Sequence, residues 1–164
     1  MTFRTLPILF ALLLPCFAHA ACADLAYRQF DFLLGDWNVA TAEGKLVGHD
    51  HIEKAYGGCV VQEHWTSVDG GTGGSLSIYD MSRKRWHQTW VDSTGTLVVL
   101  EGGLKDGVML MTGDMIQDGK HVQDRMSWAP IQVGGAGKIR QLWETSADGG
   151  KTWVIIFDVY YSKG

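Results

Sequence analysis

Short β-rich segments separated by turn residues recur along most of the chain, and this pattern restricts the fold more than any other feature. Beyond Gly35 the segments follow one another at intervals of roughly ten to twelve residues, the spacing of hairpin-linked strands. All 21 glycines lie at or beyond this residue, and many fall between the segments, where glycine favours tight turns. We predict strands at residues 36–42, 45–55, 58–67, 74–80, 85–92, 96–102, 106–116, 120–129, 137–145 and 152–161.

This succession of strands predicts an all-β fold, a single antiparallel up-and-down barrel of about ten strands. Turns this short leave no room for the crossovers that parallel strands need, so each strand must pair with its neighbours in sequence. Closing the sheet removes the exposed edges at which sheets aggregate. Residues 25–34 lack turn residues, and we expect them to form one or two helical turns that plug an end of the barrel.

The N-terminal residues have the pattern of a cleavable export signal. Arg4 precedes an apolar run at residues 6–17, and Ala18-His19-Ala20 fits the cleavage site of signal peptidase. We therefore predict a signal peptide at residues 1–20, cleaved after Ala20, and a barrel domain at 21–164 located in the periplasm or outside the cell. The apolar run is too short to span a membrane, and no later segment is long enough, so we predict no transmembrane segment.

Cleavage would remove Cys16 and leave two cysteines, Cys22 and Cys59, in an oxidising compartment. A single disulfide bond between the N-terminal segment and the third strand is the simplest outcome. Two free thiols remain the alternative, because the sequence does not give the distance between the two residues.

Composition and charge exclude two classes of protein. With 46% hydrophobic and 20% charged residues, the chain can form a core and is not a disordered protein. Its 14 Lys and Arg residues are outnumbered by 18 Asp and Glu residues, and no basic patch is present. We therefore expect no nucleic-acid partner. No dimerisation surface can be recognised in the sequence.

The sequence Gly35-Asp36-Trp37 resembles the Gly-x-Trp motif that opens the first strand of lipocalins and the other calycin barrels. A larger set of residues resembles a secreted bacterial family of unknown function with a calycin-like barrel. This set comprises Phe30-Asp31-Phe32, Gly57-Gly58-Cys59, residues 85–90 and 140–144, and Trp153. The resemblance implies a fold rather than an activity. Nitrobindin-like relatives carry a haem-ligating histidine late in the chain, whereas the last histidine here is His121, so we expect no cofactor.

Residues 146–153 match the Asp-box motif, Ser-x-Asp-x-Gly-x-Thr-Trp, at every defined position. In sialidase propellers the motif recurs on successive blades, but only one copy occurs here and the chain is too short for a propeller. We interpret it as a turn in which Ser146 and Asp148 bind loop N–H groups and Trp153 packs beneath.

Three strands each place a hydrogen-bonding side chain beside an indole on the same face, because residues two apart in a strand point the same way. If these faces line the barrel, they form a cavity with aromatic walls and a few fixed polar groups, as small-molecule sites generally do. The alternative is that the indoles fill the barrel completely. The predicted ligand-binding residues are Glu63, Trp65, Gln88, Trp90, Gln141 and Trp143.

Two arginines on late strands, Arg125 and Arg140, are candidates for closing the barrel or anchoring a ligand. The lipocalin resemblance implies that one of them stacks over the Trp37 indole. The alternative is a charged anchor for a carboxylate ligand, paired in its absence with Glu63 or Glu144.

Metal and nucleophile chemistry have weaker support. His49, His51 and Glu53 share one face of a strand, but Ile52 on the other face is the apolar residue, so we expect the histidines to face solvent and predict no metal site. The serines at 75 and 77 and the histidines at 64 and 87 are candidates for a catalytic group, yet no Gly-x-Ser-x-Gly elbow is present.

These patterns predict an exported barrel that binds a small amphipathic or aromatic ligand in its interior. A second hypothesis is an isomerase or hydrolase that uses Glu63 as an acid or base in the same cavity, with Asp92 as the only second carboxylate we identify on the same side. A third is an accessory protein of the cell envelope with a solid core.

Overall fold

The structure, a computed structural model, describes residues 22–117, 119–133 and 136–164. The predicted signal peptide and Cys16 lie outside the described residues. Within them, no helix has the length and apolar character needed to cross a membrane.

The described residues form three short 3₁₀ turns and ten strands, which confirms the predicted fold class. Two 3₁₀ turns at the N-terminus span Leu25–Arg28 and Asp31–Leu33, and a third at Tyr56–Gly58 joins two strands. The strands are β1 (Gly35–Ala40), β2 (Leu46–Ala55), β3 (Val60–Ser67), β4 (Thr72–Asp80), β5 (Arg85–Asp92), β6 (Leu97–Lys105), β7 (Val108–Gln117), β8 (Lys120–Val133), β9 (Ala136–Ser146) and β10 (Val154–Lys163).

Every strand pairs antiparallel with its neighbours in sequence, and β1 pairs with β10 to close the barrel. Closure places Trp37 opposite Lys163 and Val39 opposite Tyr161. A closed, ten-stranded antiparallel barrel is compatible with a calycin-like fold.

The N-terminal segment plugs one end of the barrel, as predicted. Phe30 and Leu33 are only 1% and 4% exposed. The Phe30 ring packs edge-on against Trp86 at 4.9 Å and against Trp128 at 5.4 Å between ring centroids. Gln29 accepts a hydrogen bond from the Trp86 indole N–H at 2.9 Å. The apolar side chains of the plug and the strands therefore form one continuous core at this end.

A disulfide bond between Cys22 and Cys59 ties the start of this plug to the turn between β2 and β3, with 5.0 Å between the Cα atoms. The bond confirms the predicted pairing. It closes a loop with a sequence separation of 37, for which the loss of chain entropy in the unfolded state corresponds to about 4 kcal/mol of stabilisation.

The prediction that Arg125 or Arg140 covers the Trp37 indole is wrong. The Lys163 Nζ lies 3.6 Å from the centre of the Trp37 ring, because barrel closure makes these two residues direct partners. Both arginines point outward, since their strand neighbours Met126 and Gln141 point inward.

On the outer surface each arginine is paired with an acid. Arg125 stacks 4.1 Å above the Trp153 ring and binds Glu144 at 2.8 Å. Arg140 forms two parallel hydrogen bonds with Asp158, at 2.8 and 2.7 Å. The expected pairing of an arginine with Glu144 is therefore present, but neither arginine is available as an anchor inside the barrel.

The Asp-box motif forms the turn between β9 and β10. The Ser146 hydroxyl accepts the Gly150 N–H at 2.9 Å, and Asp148 accepts the Lys151 and Thr152 N–H groups at 3.0 and 2.9 Å. These bonds confirm the interpretation of the motif as a turn. They also explain why β10 begins at Val154, two residues later than predicted.

Candidate functional site

A cavity of about 450 Å³ occupies the end of the barrel opposite the N-terminal plug. Its volume lies within the range usual for small-molecule sites and favours a site inside the barrel over a solid core. Its walls contain the six residues that the sequence pattern brings together: Glu63, Trp65, Gln88, Trp90, Gln141 and Trp143. Trp128, Met126, Val98, Phe157 and Tyr161 also line it, all from inward-facing strand positions.

Two glycines allow the indoles to lie close to the barrel wall and leave the centre open. A Cβ atom at Gly73 would lie 2.5 Å from Cζ2 of Trp90. A Cβ atom at Gly48 would collide with the Trp65 ring in the same way. Each glycine faces inward from a strand that pairs with the strand of its indole: Gly48 lies on β2 beside β3, and Gly73 lies on β4 beside β5. Each indole therefore covers a position without a side chain.

The floor of the cavity is polar. Glu63 accepts a hydrogen bond from the Ser75 hydroxyl at 2.5 Å. Gln88 donates to the Ser77 hydroxyl at 2.9 Å, and Gln141 accepts from the Tyr161 hydroxyl at 2.8 Å. These bonds hold the polar side chains in fixed orientations above the packed plug.

A second buried acid, Asp50, lies behind Glu63 and was not predicted. Asp50 faces Trp65 across the β2–β3 pairing and Ile52 faces Glu63, so the two acids are diagonal neighbours on the inner face. Asp50 is only 2% exposed. Strand alternation indicates the direction of its side chain, because His49 and His51 face outward and the residue between them must face inward.

The two carboxyl groups are electrostatically coupled. Burial, followed by the proximity of Glu63, raises the pKa of Asp50 well above its ordinary range. Burial also raises the pKa of Glu63, although the bonds from Ser75 and Asp50 oppose this effect. Neither oxygen of Asp50 has a hydrogen-bond partner among the described residues, although Glu63 and the Tyr161 hydroxyl both lie close enough to influence its pKa. A proton shared between the two acids would satisfy one of these oxygens.

A third inward-facing acid, Asp124, lies beside the cavity. One of its oxygens accepts the Trp143 indole N–H at 2.9 Å, whereas the other has no partner among the described residues. Burial raises the pKa of Asp124. The bond fixes the orientation of the Trp143 ring in the cavity wall.

The candidates for a serine nucleophile and its base are separated by the sheet. Ser75 and Ser77 face inward, whereas the side chains of His64 and His87 are about half and about a third exposed on the outer face. A serine–histidine pair is therefore not assembled. Asp92 reaches the cavity edge, but its carboxylate binds the N–H groups of Thr94 and Thr96 in the β5–β6 turn.

The proposed histidine face of β2 is exposed, as expected. His51 binds Asp36 at 2.7 Å, and Glu53 lies 3.8 Å from His51 and 3.7 Å from His64. Over the described ranges, no group of three or more His, Cys, Asp and Glu side chains is arranged to hold a metal ion.

The mouth of the cavity combines an apolar rim with charged turn residues. Leu46, Val68 and Ile156 line it and are 39%, 59% and 48% exposed. Lys45 and Asp69 lie on the same rim. Apolar side chains thus extend from the interior of the barrel to its entrance.

Comparison of the chain with protein-family models and with curated proteins finds no match.

Proposed function

We propose that this protein is exported and binds a small amphipathic or aromatic molecule in the interior of its barrel. The observation that supports this most directly is the open cavity of about 450 Å³, walled by indoles and floored by oriented polar groups. The indoles supply apolar area, and the polar floor supplies orientation, which together are the usual components of a small-molecule site.

Titration with the uncharged naphthalene dye prodan tests the proposal. We expect an increase and a blue shift in dye emission as it enters the cavity, and a binding isotherm with one site. Replacing Trp90 with Ala should weaken binding about tenfold, because it removes one aromatic wall.

Trp153 provides a matched control, since it lies on the β9–β10 turn outside the cavity and bonds Gly150. Trp153→Ala should leave dye affinity unchanged. Equal weakening by both substitutions, or no saturable binding of this dye or of a broad ligand panel to the folded wild-type protein, would contradict the proposal.

Catalysis is a second candidate function, favoured by the coupling of Glu63 to Asp50. A carboxyl group whose pKa is raised by burial at the cavity floor can accept and return a proton at a higher pH than an ordinary carboxyl group. Under this hypothesis Glu63→Gln abolishes turnover of an uncharged bound substrate and leaves its binding nearly unchanged. A loss of both, or of neither, contradicts the acid–base role.

A further inference from the structure

We propose that the ligand of this cavity is an organic amine, with its ammonium group against Glu63 and its apolar body between the indoles. This inference rests on the proposed binding function and specifies its ligand class. It follows from the charges that line the barrel and from the hydrogen-bonding groups left open at its floor.

Among the described residues, the interior contains acids and no cation to balance them. Asp50, Glu63 and Asp124 all point inward, whereas the only cationic side chain along the described cavity lining is Lys45, at the mouth. A desolvated carboxylate without a cationic partner is costly, and a ligand that brings a positive charge removes this cost.

Of the two acids in the pair, Glu63 is the one that borders the cavity and can present a negative charge to a ligand there. Asp50 is only 2% exposed and lies outside the cavity lining. Glu63 lines the cavity, and the Ser75 hydroxyl holds its carboxylate from behind. Its cavity side remains open to a donor from the ligand.

The floor offers an acceptor at Gln88, whereas the amide N–H₂ of Gln141 is directed at the Met126 sulfur at 3.1 Å. Gln88 directs its Nε2 group at Ser77, which turns its amide oxygen away from that serine and leaves the oxygen as an acceptor. An ammonium group has three donors and no acceptor. It therefore suits the Glu63 carboxylate, whereas a ligand carboxylate would meet a like charge.

The walls and the mouth add to this preference. Indole faces attract cations, and Trp65, Trp90 and Trp143 surround the space above the floor. At the mouth, hydrogen bonds from neighbouring turn groups lower the pKa of Asp69 and of Asp92, so both remain ionised near neutral pH. They outnumber Lys45 and favour the approach of a cation.

Isothermal titration of the full disulfide-bonded protein with three matched probes tests the inference. The probes are 2-phenylethylamine, 2-phenylethanol and phenylacetate, which share a phenyl ring and differ in charge. We expect the amine to bind at least about tenfold more tightly than the alcohol, and the carboxylate to bind least.

Substitution at the floor should remove the discrimination. Glu63→Gln should weaken the amine about tenfold or more and change the alcohol far less. Glu53→Gln is the matched control, because Glu53 is an exposed acid on the outer face of neighbouring β2. It should leave both affinities unchanged.

The outcomes separate this inference from the function on which it rests. If prodan binds but the alcohol or the carboxylate equals the amine, the amine assignment is overturned and ligand binding stands. If neither prodan nor any of the three probes binds, both proposals fail. Should Glu63→Gln not fold, the ranking of the three probes on the wild-type protein decides the question alone.

Discussion

The two ends of the barrel use the same kind of residue for opposite purposes. Trp86 and Trp90 lie on one face of β5, four residues apart. Trp86 is fully buried against Phe30 of the N-terminal plug, whereas Trp90 is only partly buried and borders the cavity. An indole therefore fills the barrel where another segment meets it and lines a cavity where none does.

Removing the central side chain of the plug should have the largest effect. Phe30→Ala leaves a void between Trp86 and Trp128, and we expect a loss of about 4 kcal/mol in the free energy of unfolding. Denaturant unfolding measures this loss. Trp90→Ala, at the open end, should cost much less, because part of its ring already faces the cavity.

Equal destabilisation by the two substitutions would contradict the distinction between a packed end and an open end. Dye binding provides the converse measurement. Under conditions where Phe30→Ala remains folded, it should retain most of its affinity for prodan, whereas Trp90→Ala should not.

The polar layer between the two ends should make stability depend on pH. Asp50 has a raised pKa in the folded state, so between its unfolded pKa, near 4, and its folded pKa the folded protein binds more protons than the unfolded chain. The contribution of Asp50 to the free energy of unfolding is thus fully present below pH 4. It is lost as the pH rises from there through the folded-state pKa of Asp50.

Asp50→Asn removes this titration and keeps a donor directed at Glu63. We expect the variant to match the wild type near pH 4 and to exceed it increasingly above that pH, by up to about 1.4 kcal/mol per pH unit, so by several kcal/mol at pH 8, measured by denaturant unfolding. Asp114→Asn, at an exposed position on β7, is the control and should change stability little at either pH. A difference between Asp50→Asn and wild type that does not grow with pH would refute the assignment.

Much of this architecture could be predicted from the sequence because hairpin-linked strands depend on local signals. Turn residues determine where the strands begin and end, and alternation determines which residues of a strand share a face. The six cavity residues can therefore be grouped from the sequence alone. The grouping requires only that the strands close into one barrel.

The parts that could not be predicted depend on contacts between distant residues. Lys163 covers Trp37 only because the last strand pairs with the first, a register that no local pattern specifies. Asp50 carries no local signal of its role, because the histidines on both sides of it belong to the outer face. Alternation predicts its inward direction, but its coupling to Glu63 requires the β2–β3 register.

The smallest effect in this series should come from the glycine that gives Trp90 its place at the wall. In Gly73→Ala the new methyl group displaces the indole toward the centre of the cavity, because its two nearest contacts are with the ring, which can move, and the Val91 carbonyl oxygen at 3.0 Å must shift only slightly. We expect a stability loss of about 1 kcal/mol and a several-fold weaker affinity for prodan, with the affinity measured by titration. Gly103→Ala on β6 is the matched control, since a Cβ atom there meets nothing within 4 Å, and it should change neither property. A Gly73→Ala variant that binds prodan as tightly as the wild type would mean that the open end tolerates a displaced indole, and that the cavity does not depend on this glycine to remain open.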